Sequence, residues 1–187
     1  MRRPIVVYAT MFGATAAVAE KVAVALTRAF GNETTYHDVA WLDLGVLSRH
    51  DPIVLGSSTW NNGQLPSDWE ARLPDLAALD LRGKRVALFG TGDQRGYPDT
   101  FLDALEDLAT AARAAGATLI GTWPAGGYCF TASRALHGNR LLGLGLDEDN
   151  EPERTDERVN AWVGRLVEEV GVALPDAKAA AASVVPR

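Results

Sequence analysis

Short apolar runs alternate with longer amphipathic stretches along the whole chain, the pattern of a parallel sheet covered by helices on both faces. Ile5 to Ala9 predicts a first strand, and Thr34 to Val39 a weaker second one near an edge. Pro52 to Gly56 predicts the third, Arg85 to Gly90 the fourth, and Ala117 to Gly121 a fifth that breaks off at Trp123-Pro124. A second apolar stretch, Arg140 to Leu146, then resumes. Ala14 to Ala29 reads as a helix, because Val18, Val22, Ala25, Leu26 and Ala29 recur at helical spacing and Gly31 follows. Trp41 to Leu47 has room for one or two helical turns, and Asp68 to Ala77 predicts a modest helix interrupted by Pro74. Thr100 to Ala115 is the clearest helix, with Thr100 as its N-cap and Gly116 as its stop. Thr155 to Val170 closes the set, with Thr155 as N-cap. The fold class is α/β, a doubly wound three-layer sandwich, and a ligand is expected at the carboxyl edge near the first and third strands.

The length of 187 residues fits one domain, placed at 1–172, with a low-complexity tail over 173–187 that is expected to be disordered. No apolar run approaches the ~20 residues of a membrane span. Met1-Arg2-Arg3-Pro4 leads directly into a strand, not into a signal-peptide core. The single Cys129 excludes an internal disulfide and fits a reducing, cytoplasmic setting. Together with His37, His50 and His137 it supplies no metal-ligand spacing. A formal net charge of −6 argues against nucleic acid and favours a basic protein partner.

Three strand ends carry matching equipment. The third strand runs into Gly56-Ser57-Ser58-Thr59-Trp60-Asn61-Asn62-Gly63, where Trp60 either caps a local apolar cluster or stacks on a planar ligand. The first runs into Thr10-Met11-Phe12-Gly13-Ala14-Thr15 and a helix. This loop lacks the lysine of a nucleotide P-loop and the three-glycine dinucleotide fingerprint. Backbone N–H groups at a helix N-terminus, joined by the Thr10 and Thr15 hydroxyls, suit a phosphate, although a simple cap turn reads the same way. The fourth ends in Gly90-Thr91-Gly92-Asp93-Gln94-Arg95-Gly96-Tyr97, whose glycines let the backbone approach a flat ligand. Tyr97 there offers a ring, and Asp93 or nearby amides a polar edge. Each loop alone also reads as ordinary surface; converging at one sheet edge they read as a site.

These residues resemble the flavodoxin family, in its long-chain branch. Thr10 to Thr15 is similar to the family's phosphate loop, Ser58-Thr59-Trp60-Asn61 to its first flavin loop, and Gly90 through Tyr97 to its second. Leu144-Gly145-Leu146-Asp147-Glu148-Asp149-Asn150 resembles the stretch after the final strand, and the interruption from Gly121 to Arg140 matches the insertion that splits the fifth strand of long-chain members. The likeness covers about residues 4 to 170. It implies a flavodoxin-like, five-stranded parallel sheet of order 2-1-3-4-5. It also implies non-covalently bound FMN and a monomeric, low-potential one-electron carrier, not an enzyme. The partners it implies are an NAD(P)H-dependent flavodoxin reductase and an acceptor oxidoreductase.

Carried over by position, Thr10, Met11, Phe12, Gly13, Ala14 and Thr15 hold the phosphate. Ser58, Thr59 and Asn61 face phosphate or ribityl groups, with Asp149 a further ribityl contact. Trp60 and Tyr97 sandwich the isoalloxazine, and Thr91, Gly92 and Asp93 address its pyrimidine edge. The Asn61–Asn62 peptide is expected to turn its carbonyl toward the flavin N5 on one-electron reduction, a flip that Gly63 and a positive-φ Asn keep inexpensive. The acidic run Asp147-Glu148-Asp149 adds negative charge nearby, with Glu148 read as a solvated loop residue. One departure from the family pattern is Phe12, which stands where a hydroxyl is usual, and Met11 often replaces a polar residue. Backbone donors survive, so phosphate binding is expected to weaken by about one hydrogen bond, ~1–2 kcal/mol. Both side chains either pack locally or form an apolar docking spot. The alternative function is an FMN-dependent NAD(P)H:quinone reductase on the same fold, and a phosphoacceptor domain is set aside because Tyr8-Ala9-Thr10 lacks an acidic cluster.

Overall fold

The computed structural model describes residues 3–171, and in it the predicted apolar runs form one parallel sheet. β1 (Ile5–Ala9) lies between β2 (Thr35–Asp38) and β3 (Ile53–Ser58), and β4 (Arg85–Thr91) pairs with the far side of β3. β5 (Thr118–Ile120) pairs with the first half of β4, Arg85↔Thr118 through Ala87↔Ile120. The chain then leaves the sheet. β6 (Trp123–Pro124), β7 (Leu136–His137) and β8 (Arg140–Leu141) make a small antiparallel sheet of order β6-β8-β7. β9 (Leu144–Leu146) returns to the second half of β4, Phe89↔Leu144 through Thr91↔Leu146. The expected order 2-1-3-4-5 with a split fifth strand is therefore what the chain builds. The domain boundary at 172 and the tail at 173–187 lie outside the described residues.

Alternation along the central strands divides the core. Ile5, Val7, Ile53, Leu55, Val86 and Leu88 face one side, where α2 (Ser67–Ala77) and α3 (Ala104–Ala114) pack through Trp69, Leu76, Leu105 and Leu108. Val6, Val54, Ala87 and Phe89 face the other, against α1 (Ala14–Phe30) and α4 (Thr155–Val170). Strands buried on both faces explain why their sequences read as continuous apolar runs. β2, with Thr35 and Tyr36 exposed, is the polar edge. Because β1 feeds a helix on one face and β3 a helix on the other, the carboxyl ends of β1 and β3 diverge and leave a crevice.

Three element details differ from the sequence reading. α3 begins at Ala104, not near Thr100, because Leu102 takes φ 62° and is fully buried. Burying a leucine is worth about 1.5–3 kcal/mol, enough to offset the 1–2 kcal/mol of a left-handed residue. α2 runs unbroken through Pro74 to Ala77, anchored by buried Trp69 and Leu76, with the Trp69 indole N–H donating to the Gly56 carbonyl at 2.8 Å. Thr155 is the first residue of α4 rather than its cap, and its hydroxyl donates to the Glu148 carboxylate.

The return of β9 depends on Gly143, where an added Cβ would stand 2.0 Å from the Leu88 carbonyl oxygen. Gly143→Ala is expected to destabilise the chain by about 3 kcal/mol, lowering the thermal midpoint by roughly 6–12 °C. Gly164→Ala in α4, where nothing lies within 4 Å, should instead stabilise by about 0.5–1 kcal/mol. Calorimetry on the two variants checks the contrast.

Candidate functional site

The carboxyl ends of β1, β3, β4 and β9 open into a cleft of about 310 Å³. Its wall is formed by Thr10, Met11, Phe12, Ala14 and Thr15 after β1, and by Ser58, Thr59, Trp60 and Asn61 at the end of β3 and beyond it. Thr91, Gly92, Asp93 and Tyr97 come from the end of β4 and its loop, and Glu148 and Asp149 from the turn after β9. Three expected residues do not line it. Gly13 occupies the N-cap position of α1 at φ 94°, and Gly63, at φ 89°, lies where an added Cβ would stand 2.7 Å from the Asp103 carboxylate. Asn62 is exposed at the tip of the same turn. Glu148 is the lining residue that the sequence reading left as solvated loop; its only signal was adjacency to Asp149.

The first loop is an uncapped helix start. Gly13 donates its N–H to Thr10 Oγ1 at 2.9 Å, and the first turn of α1 carries no acidic side chain to neutralise the positive end of the helix. Thr15 Oγ1 lies 2.9 Å from Thr91 Oγ1 in the interior, tying this loop to the end of β4. The second loop is a closed turn: Trp60 and Gln64 exchange two backbone hydrogen bonds of 2.8 Å, and Asn61 sits at φ 43° with its amide donating to Gln64 Oε1. Just before it, Ser58 Oγ and Thr59 Oγ1 are buried without any hydrogen-bond partner. Buried hydroxyls are normally satisfied, so these two stand out as orphans on residues that line the cleft.

The third loop is held from within. Asp93 Oδ1 accepts the N–H groups of Arg95 at 2.9 Å and Gly96 at 2.7 Å, and the Asn150 amide at 2.8 Å. These bonds, the one from Gly96 foremost, hold its carboxyl below the ordinary 3.8. Asp93 thus shapes the loop that carries Tyr97 as well as lining the cleft. Behind it, the fully buried Asp147 accepts the Gln94 N–H at 3.2 Å, the Asn150 N–H at 3.0 Å and the Asn150 side-chain amide at 2.9 Å. Gln94 in turn accepts the Cys129 N–H at 2.7 Å and donates to Glu151 at 3.2 Å. Among the described residues the wall holds three carboxylates, Asp93, Glu148 and Asp149, and no lysine or arginine. Partial burial first, then Asp93 and Asp147, push the Asp149 carboxyl above its ordinary value.

The arrangement offers donors for an anion at one end, two aromatic rings, Trp60 and Tyr97, on its walls, and unsatisfied hydroxyls between. Among the described residues no group of His, Cys, Asp or Glu is placed to hold a metal ion. A family model described as Flavodoxin matches residues 6–162. The chain belongs to the flavodoxin family. It is 40% identical to the flavodoxin of Synechococcus elongatus over 167 residues, which is 88% of this chain and 96% of that protein. It is 38% identical to Flavodoxin 1 of Escherichia coli over 161 residues, 85% of this chain and 92% of that one. Among solved structures, a Fusobacterium nucleatum flavodoxin bound to flavin mononucleotide superimposes with a TM-score of 0.83 at 22% identity, covering 90% of this chain and 99% of its own. Flavodoxin 2 of Bacillus cereus gives 0.66 at 27% identity, over 89% and 99%.

Two outcomes follow from the acidic turn of this flavodoxin. Asp147→Asn places an NH₂ against the donors that now meet a carboxylate, and is expected to cost about 1–3 kcal/mol in chemical denaturation. For Asp149, the raised carboxyl means that the folded chain binds the proton more tightly than the unfolded chain does. Its favourable contribution is full below the ordinary 3.8 and lost as pH rises through the higher folded value. Asp149→Asn should therefore be more stable than the parent at neutral pH, by a few tenths of a kcal/mol after solvent screening. Urea unfolding at neutral and at strongly acidic pH checks it, because the two proteins converge in acid.

Proposed function

We propose that the chain holds FMN non-covalently in this cleft and carries single electrons between redox proteins. One observation carries the reading most: a helix start with no acidic residue in its first turn, two aromatic side chains, and Ser58 and Thr59 with their orphaned hydroxyls line one cleft. Those features match, in order, a phosphate, a flat ring and a ribityl chain. Flavodoxins are electron-transfer proteins, and bound FMN supplies reversible one-electron redox chemistry.

The chain's own residues would divide the work. Backbone donors from Phe12 to Thr15, with Thr10 and Thr15, hold the phosphate against the α1 dipole. Ser58, Thr59, Asn61 and Asp149 face the ribityl chain, Trp60 and Tyr97 flank the ring, and the Thr91–Asp93 backbone meets its polar edge. Three wall carboxylates and no cation make added negative charge costly. At ~8 Å and an effective dielectric of ~20, each unit contributes about 2 kcal/mol, or roughly 90 mV toward lower potential for one electron. The Asn61–Asn62 peptide, beside Asn61 at φ 43° and Gly63 at φ 89°, sits in a turn able to reorient. No helix among the described residues is long and apolar enough to cross a membrane. The partners proposed are an NAD(P)H-dependent flavodoxin reductase and an acceptor oxidoreductase, met in the cytoplasm, with association that weakens as salt rises.

Anaerobic stepwise reduction of the FMN-loaded protein, followed by absorption, tests the reading. Two separated one-electron steps are expected, with the first less resolved in Asn62→Val. A protein that takes up no FMN overturns the proposal, and steady turnover of NAD(P)H with a quinone in the absence of any reductase would establish the enzyme alternative.

A further inference from the structure

We infer that Phe12 is a positioning residue for Trp60, joining the phosphate end of the cleft to its ring end. The inference rests on the FMN reading above. The Phe12 and Trp60 rings lie 5.1 Å apart, centre to centre, inclined by 60°, within the tilted geometry that aromatic pairs favour. Phe12 is 83% exposed with Trp60 beside it, and Trp60 is its only aromatic partner among the described residues. Both backbones are fixed independently of the rings. Phe12 precedes Gly13, whose N–H is bound to Thr10 Oγ1, and Trp60 is clamped to Gln64 on both sides of its peptide. Two anchored loops thus meet through this pair of side chains.

Within its own loop Phe12 has no hydroxyl or charge to offer a phosphate, a role left to the backbone donors and to the Thr10 and Thr15 hydroxyls, which also bond Gly13 and Thr91. What Phe12 does contribute is a ring tilted against the indole. With that neighbour in place, the indole is held at the cleft wall before any ligand arrives, so less rotational freedom is lost on stacking. Phe12 therefore acts on the ring end of the ligand from a loop that faces the phosphate end.

Riboflavin separates the two ends, because it carries the ring and the ribityl chain but no phosphate. Its dissociation constant, measured by flavin fluorescence quenching on the apoprotein, should rise about 2- to 12-fold in Phe12→Thr, the worth of one aromatic pair. Phe12→Tyr, which keeps the ring, should restore parental affinity. In a Trp60→Ala background the Phe12→Thr change should have no further effect. An unchanged riboflavin constant in Phe12→Thr, with the parent binding both flavins, overturns this inference alone. The same loss with and without Trp60 also overturns it, since Phe12 would then act by its own contact. A parent that binds neither FMN nor riboflavin overturns the cofactor reading together with this one. Phe12 is exposed, so unchanged far-ultraviolet circular dichroism is expected in each Phe12 variant and confirms that binding, not folding, is read.

Discussion

Everything at the cleft hangs on one carboxylate that water does not reach. Burying Asp147 is costly unless donors replace its hydration, and the protein supplies them from the Gln94 N–H, the Asn150 amide and the turn that follows Asp147 itself. Because Asp147 follows β9 and Gln94 follows β4, the network sews two strand ends into one ledge. Asn150 extends it to Asp93, and Asp93 bonds the backbone that leads to Tyr97. Losing any member leaves a buried polar group stranded, which makes the ledge cooperative.

That rigidity allows the facing loops to violate local rules. Ser58 Oγ and Thr59 Oγ1 are buried without partners, Asn61 lies at φ 43°, and Phe12 is left almost fully in water. Each is unfavourable on its own, and all gather at the same crevice. Sequences that specify a fold keep such conflicts for functional positions. A ligand that satisfies the hydroxyls and lies against Trp60 and Tyr97 would remove most of them at once.

The sheet was legible because its physics is periodic. Strands buried on both faces must be apolar throughout, and the turns between them must carry glycine or polar residues. The loops were legible for a different reason: each alone read as ordinary surface, and only their convergence at one sheet edge read as a site. What escaped reading was tertiary. Nothing in Thr100-Phe101-Leu102-Asp103 announces that Leu102 will adopt a left-handed conformation to reach the core and push the start of α3 to Ala104. An acid inside Asp147-Glu148-Asp149 reads as solvated, and only the Gln94 and Asn150 donors reveal that the first is interior while the second edges the cleft. Pro74 fails as a helix breaker because Trp69 and Leu76 are packed on either side of it.

The split strand looks like damage to the sheet, yet its residues are spent on the site. Instead of running on from β5, the chain makes a detour that bonds itself and α3, through Arg134–Asp107 and His137–Glu106, and also reaches the ledge. Thr131 and Ala132 donate their N–H groups to the Pro98 carbonyl, Cys129 donates to Gln94, and the Tyr128 hydroxyl donates to the Gly145 carbonyl at 2.6 Å. The Arg134 backbone N–H donates to Asp103, the carboxylate that a Cβ added at Gly63 would meet. The insertion therefore braces the Tyr97 loop directly and the Trp60 turn at one remove, from the side opposite the cleft. β9 then needs only three residues on β4, Phe89 to Thr91, to bring Asp147 to the ledge from which the site is hung.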